Sequence, residues 1–154
     1  MLAEALAEQI QRDPDRWRPL VLTNGCFDLL HAGHVRYLTQ ARALGRSLVV
    51  GLNSDRSVQA LKGKQRPIVT ARERAEVLMG LKAVDAVVIF DDLTADRLIT
   101  TLRPDIYVKG GDYTPQTLPE APTVQGIGGK IVLIPIEINT STTKILQAIA
   151  NSLL

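Results

Sequence analysis

Short apolar runs alternate along the 154 residues with stretches in which apolar positions recur every three or four residues. The runs lie at 19–23 (Pro-Leu-Val-Leu-Thr), 47–52 (Ser-Leu-Val-Val-Gly-Leu), 86–90 (Ala-Val-Val-Ile-Phe), 106–109 (Ile-Tyr-Val-Lys) and 131–136 (Ile-Val-Leu-Ile-Pro-Ile). They lack the alternating polar residue of a strand with one wet face, so each reads as a strand buried on both sides. After the first run, Val35, Leu38, Ala41 and Leu44 keep helical spacing up to Gly45, a C-terminal stop signal. Buried strands alternating with helices predict an α/β domain, a doubly wound sheet of five parallel strands. Ligands in such sheets bind beyond the strand C-terminal ends, where the strand order reverses. Residues that follow each strand are therefore the first functional candidates.

The first 17 residues place Leu2, Leu6 and Ile10 at four-residue intervals, with Glu4, Glu8 and Gln9 on other faces. This predicts a peripheral amphipathic helix rather than a signal peptide. No segment approaches the ~18 apolar residues of a membrane span, so a cytoplasmic location is expected. With no repeat, low-complexity tract or linker, residues 1–154 are expected to form a single domain. A net charge of +2 without a Lys/Arg tract points to neither nucleic acid nor membrane. Cys26 is the sole cysteine, which excludes a disulfide framework and a cysteine metal cluster. Two connections, 55–69 and 110–129, are longer than needed to join elements, and they read as walls of a substrate site.

The densest chemistry lies in Gly25-Cys26-Phe27-Asp28-Leu29-Leu30-His31-Ala32-Gly33-His34. A glycine turn and two histidines sit between a strand and a helix, so both rings would enter the first helical turn. Free backbone N–H groups and the helix dipole attract anions there, and a phosphate would fit. Lys62 is a mobile cation in the first long connection. Thr70-Ala-Arg-Glu73 looks like a capping box, which places Arg74 near a helix start, where a surface ion pair with Glu73 or Glu76 is the plain alternative. Ser141-Thr142-Thr143-Lys144 sets three hydroxyls and a cation at another helix start, an arrangement that makes sense around an anion. Gly110 and Gly111, after the fourth run, let backbone approach a ligand. Asn53-Ser54-Asp55 forms either an Asx-type turn or part of a site. No third N, O or S ligand accompanies the histidines, so no protein metal site is expected.

Glycine, phenylalanine, aspartate and the two histidines match in spacing the Gly-x-Phe-Asp-x-x-His-x-Gly-His signature, and the chain resembles the nucleotidylyltransferase superfamily from about residue 21 to 146. That resemblance implies catalytic roles for His31, His34 and Lys62. It implies nucleotide contacts from Gly25, Phe27, Asp28, Arg74, Lys109, Gly110, Asp112, Ser141, Thr142 and Thr143, with Asn53 and Asp55 at the acceptor. It also implies Mg²⁺ bridging the phosphates. The segments around Asn53, Lys62, Arg66-Pro67 and Val108-Lys-Gly-Gly-Asp-Tyr113 look most like the adenylyltransferases of ADP-heptose synthesis. These join AMP from ATP to D-glycero-β-D-manno-heptose 1-phosphate after a separate sugar kinase, and a homodimer is expected. A glycerol-3-phosphate cytidylyltransferase using CTP shares the Ser-Thr-Thr element, but Ile136 stands where that family has an arginine. A nucleotide sensor that has lost turnover is the non-enzymatic alternative, yet none of the implied residues is missing.

Overall fold

The structure, a computed structural model, describes residues 1–135 and 140–154. The five apolar runs form β1 (Leu20–Gly25), β2 (Ser47–Asn53), β3 (Ala86–Phe90), β4 (Ile106–Gly110) and β5 (Lys130–Ile134). All pair in parallel, in the order β3-β2-β1-β4-β5. Beyond β1 the chain first winds outward to β2 and β3, then returns to place β4 on the other side. The order therefore reverses between β1 and β4, which leaves a crevice at their C-terminal ends.

Each strand feeds two cores because successive side chains point to opposite faces. Leu20, Leu22, Val49, Val88 and Tyr107 join one core, with Leu6, Ile10, Trp17, Leu98, Ile99 and Val124. That core lies under α1 (Ala3–Arg12), α2 (Pro14–Trp17), α6 (Asp96–Leu102) and α7 (Ala121–Gly126). Val21, Leu48, Val50, Leu52 and Val108 join the other, with Leu38, Ala41 and Leu78 from α3 (Ala32–Arg42) and α5 (Ala71–Met79). The remaining helices are α4 (Asp55–Lys62) and α8 (Thr142–Ser152). No helix among the described residues is long and apolar enough to cross a membrane.

Several boundaries differ from the sequence expectation. The amphipathic N-terminus is two helices, broken at Asp13, whose carboxylate accepts from Arg16 N–H and caps α2, with Pro14 at its first position. Its apolar stripe docks on the domain through Leu6 and Ile10, buried against α6, while Leu2 is exposed. The connection 55–69 is half helix, since α4 occupies its first eight residues, and 110–129 contains α7. The fifth run ends its strand at Ile134, and Ile136, the position used against the CTP reading, lies outside the described residues.

Candidate active site

Beyond β1 the backbone turns sharply, with Phe27 in the left-handed region at φ 46°, a conformation unfavourable for a bulky side chain. Burial of its ring offsets that strain. The ring lies over Gly25, where a Cβ would come within 3.0 Å of it, and its centroid is 5.4 Å from that of His34. His31 is the N-cap of α3: its Nδ1 accepts from Gly33 N–H at 3.1 Å, and His34 Nδ1 accepts from His31 N–H at 3.4 Å. A reciprocal cap of this kind normally uses hydroxyl and carboxylate. Here it fixes chemistry as well, because a neutral ring whose Nδ1 accepts carries its proton on Nε2. The two ring centroids lie 4.0 Å apart, with their planes tilted by 34°. Burial, then the neighbouring His31, depresses the pKa of His34 to about 4, and burial lowers that of His31. Both are neutral N–H donors near pH 7.

Two residues expected on the nucleotide hold this turn through hydrogen bonds within the fold. Asp28 is buried, and its carboxylate accepts from Arg66 Nε at 2.6 Å, Ile68 N–H at 2.9 Å and Val69 N–H at 3.0 Å. Burial alone would raise its pKa, but the two N–H groups and the Arg66 guanidinium outweigh it and hold the carboxyl below its ordinary value. Arg74, 2% exposed, does not line the cleft. Its guanidinium donates to the carbonyls of Val69, Cys26 and Asn53 and to the Asp55 carboxylate at 2.8 Å. The ion pair it makes is with Asp55, not with Glu73 or Glu76. The predicted capping box of Thr70 and Glu73 does start α5 and sets Arg74 facing inward.

A cleft of about 780 Å³ opens over the C-terminal ends of β1 and β4. Gly25, Phe27, Asp28, His31 and His34 line one side; Lys62, at the end of α4, and Asn53 also reach it. Lys109 and Gly110 form its floor, with Ser141, Thr142 and Thr143 beside the histidine turn. Ser141 caps α8 by accepting from Lys144 N–H, and Thr142 Oγ1 donates to Leu29 O at 3.2 Å, tying that helix start to the histidine turn. Two helix N-termini therefore face one cavity, the condition that favours an anion. Asp55 and Asp112 are not in this lining. Asp55 holds Arg74 and Ala71 N–H, and Asp112 is exposed. Asn53 Nδ2 donates to Ser57 Oγ, a bond within the fold.

Lys109 Nζ donates to Asn24 Oδ1 at 3.0 Å and lies 5.9 Å from the Tyr113 ring centre. Burial lowers its pKa, and among the described residues it has no ion-pair partner. An under-neutralised cation at the cleft floor suits phosphate. Tyr37, unremarked in the sequence, shares a 2.6 Å hydrogen bond with Thr23 Oγ1 and donates to Val108 O, fixing α3 against β1 and β4. Its ring also crowds Gly110, where a Cβ would approach it to 3.0 Å. Asn24, Arg36, Thr94 and Glu120 also line the cleft, and no spacing rule marks them. Cys26 stays a thiol: burial raises its pKa against the opposing pull of Lys62 and Arg74. Among the described residues no three His, Cys, Asp or Glu side chains group as metal ligands.

Residues 22–148 match the cytidylyltransferase-like family, a span that includes the histidine turn, the cleft floor and the start of α8. The chain belongs to that family. This cytidylyltransferase-like domain is a nucleotidyltransferase. It is 50% identical over 148 residues to "Bifunctional protein HldE" of Syntrophotalea carbinolica, covering 96% of this chain and 30% of that protein. The relative of the same name in Koribacter versatilis is 54% identical, over 86% of this chain and 28% of its own length. The domain thus spans about a third or less of the curated relatives it matches. Among solved structures, a lipopolysaccharide core biosynthesis protein from Thermoplasma volcanium has a TM-score of 0.63 at 27% identity, covering 78% of this chain and 97% of that one. Thermotoga maritima TmcAL bound with alpha-thio ATP shares the fold, with a TM-score of 0.65 at 13% identity over 86% of this chain and 50% of its own.

Proposed function

We propose that this domain transfers AMP from ATP to a sugar 1-phosphate, D-glycero-β-D-manno-heptose 1-phosphate, forming ADP-heptose and pyrophosphate. The observation that carries the reading is the convergence of two helix starts on one cleft, one bearing two neutral imidazole donors and the other Ser141 and Thr142. The HldE relatives support heptose as the acceptor class, and a separate kinase would supply its 1-phosphate.

The acceptor phosphate is already largely ionised at neutral pH, since its second pKa is about 6. One of its oxygens bonds to the α-phosphorus as the bond from that phosphorus to the bridging oxygen of the β-phosphate breaks, and pyrophosphate leaves with those electrons. No protein base or covalent intermediate is required. The chain aligns the in-line partners and neutralises growing charge. His31 and His34 donate from Nε2 to α- and β-phosphate oxygens, and remaining neutral they lose no proton to the leaving group. Lys62, Lys109 and the start of α8 hold the acceptor phosphate and pyrophosphate. Around the histidine turn and the start of α8 the cleft offers donors and cations, which fit phosphate oxygens rather than a metal. Mg²⁺ would thus come bound to the nucleotide, supplying charge neutralisation with water completing its shell. Arg74 and Asp28 act at one remove, by holding the turn.

Pyrophosphate release measured with ATP or CTP, each paired with heptose 1-phosphate and with glycerol 3-phosphate, tests the reading. Turnover with ATP and heptose 1-phosphate supports it; preference for CTP with glycerol 3-phosphate overturns it. Turnover with ATP and another sugar phosphate revises the acceptor alone. Light scattering tests the homodimer that accompanies this reading, and fractionation of cells tests its cytoplasmic location.

A further inference from the structure

Glu120 immediately precedes α7 and is 4% exposed. One carboxylate oxygen accepts from Ala95 N–H at 3.3 Å, at the start of α6. The other, Oε2, is the buried side-chain polar atom left without a hydrogen-bond partner among the described residues, and Glu120 lines the cleft. Leaving a buried carboxylate oxygen unbonded is unfavourable, so native proteins retain such an atom where a ligand or ordered water completes it. A carboxylate only accepts hydrogen bonds. Whatever completes Oε2 must present an O–H or N–H, and a phosphate is repelled from it.

The fold decides which part of the substrates that is. Ala95 and Ala121, which flank this corner, pack in the core beneath α6 and α7, whereas Phe27 and Leu38, beside the histidines, pack in the core on the opposite face of the sheet. The helix starts that attract the triphosphate belong to α3 and α8. Glu120 shares its part of the cleft with Leu93, Thr94 and Pro119, and Lys109 lies on the floor between the two ends. The negative field of Glu120 reaches that floor, favouring the charged form of Lys109 and the protonated form of Tyr107. The cleft is thus cationic and donor-rich where phosphates meet and acceptor-bearing at its far wall. We propose that Glu120 Oε2 accepts a hydrogen bond from a hydroxyl of the acceptor sugar, turning its polyol away from the phosphates and selecting polyhydroxylated phosphates over those with no hydroxyl at that point. This rests on the sugar-phosphate transferase reading and adds the residue that reads the sugar.

Glu120→Gln keeps an oxygen for Ala95 N–H while replacing the free acceptor by an uncharged amide. Its kcat/KM for heptose 1-phosphate is expected to fall about ten- to a hundred-fold, the range for a hydrogen bond to a charged group, with the KM for ATP unchanged. Single-deoxy analogues of heptose 1-phosphate, tested on the unaltered chain, should include one that loses a similar factor, and that one should lose little more in Glu120→Gln. No deoxy analogue losing more than twofold overturns the proposal without any variant, and so does an equal rise in the KM for ATP. Calorimetric titration of heptose 1-phosphate, which needs no turnover, separates the two claims. Binding that weakens tenfold in Glu120→Gln supports the subsite even where no pyrophosphate is released and the transferase reading fails. Pyrophosphate release and binding both unaffected in Glu120→Gln leave the transferase standing and overturn the subsite.

Discussion

Arg74 donates from Nη1 to the carbonyl oxygen of Cys26, so a residue of α5 holds the turn that carries the histidines. The same nitrogen reaches Asn53 O at the end of β2, and Nε reaches Val69 O. One buried guanidinium thereby binds the ends of two neighbouring strands and the exit of the first long connection. Its rigid fork suits this task, whereas an ammonium serves fewer of these directions at once.

Arg74→Lys is expected to destabilise the domain by about 3 kcal/mol, because buried carbonyls lose their donors and Asp55 loses its partner. Urea denaturation measures it. An unchanged midpoint together with lost nucleotide affinity would instead place Arg74 on the triphosphate.

Asp28→Asn should loosen the segment 66–69, since the amide side chain cannot pair with Arg66 as a carboxylate does while also receiving Ile68 and Val69 N–H. Faster hydrogen exchange at those two amides is the expected sign, with a stability loss of about 2 kcal/mol. The folded pKa lies below the ordinary value. The contribution of Asp28 is therefore complete above the unfolded pKa and disappears as pH falls through the lowered folded one.

These two residues show where sequence reading runs out. The five strands were legible because a strand buried on both faces admits little but apolar residues. The histidine turn was legible because its glycine, aromatic and histidines sit at fixed offsets. Arg74 and Asp28 occupy motif positions too, but a motif gives a position without the direction of the side chain. The capping of α5 and the approach of residues 66–69, both set by tertiary packing, turn them inward. Glu120 left no mark because its meaning depends on Ala95, 25 residues earlier, at the start of α6. Tyr37 was equally silent: its hydroxyl joins two strands that are distant in sequence.

Acid should weaken the domain over a window set by His34. Unfolded, its ring takes up a proton near pH 6.5; folded, only near pH 4. Between these values the unfolded chain binds the extra proton, so the stability linked to His34 is complete above about 6.5 and falls as pH approaches 4. Thermal denaturation from pH 4 to 8, with and without His34→Asn, isolates that contribution. Catalysis should show no ionisation of His34 between pH 6 and 8. A rate profile with a limb near 6.5 that vanishes in His34→Asn would mean that the ring works as a cation, contrary to the mechanism above.

His31 combines two tasks, capping α3 through Nδ1 and donating through Nε2, and a suitable substitution separates them. Alanine removes both, at a stability cost of about 1 kcal/mol for a lost N-cap, so its rate effect would be hard to assign. Asparagine is among the best N-cap residues and can accept from the same backbone N–H through its side-chain oxygen. His31→Asn is therefore expected to melt close to the unaltered chain while losing the imidazole that meets the phosphates. Removal of one preorganised donor to developing charge lowers the rate by about two to three powers of ten, or roughly 3–4 kcal/mol. The loss should fall on kcat more than on the KM for ATP, because that charge grows only as the bond to pyrophosphate breaks. Steady-state kinetics alongside a melting curve decide it: a stable His31→Asn protein with an undiminished kcat would reduce His31 to a helix cap and leave the charge on the leaving group to His34 and the backbone.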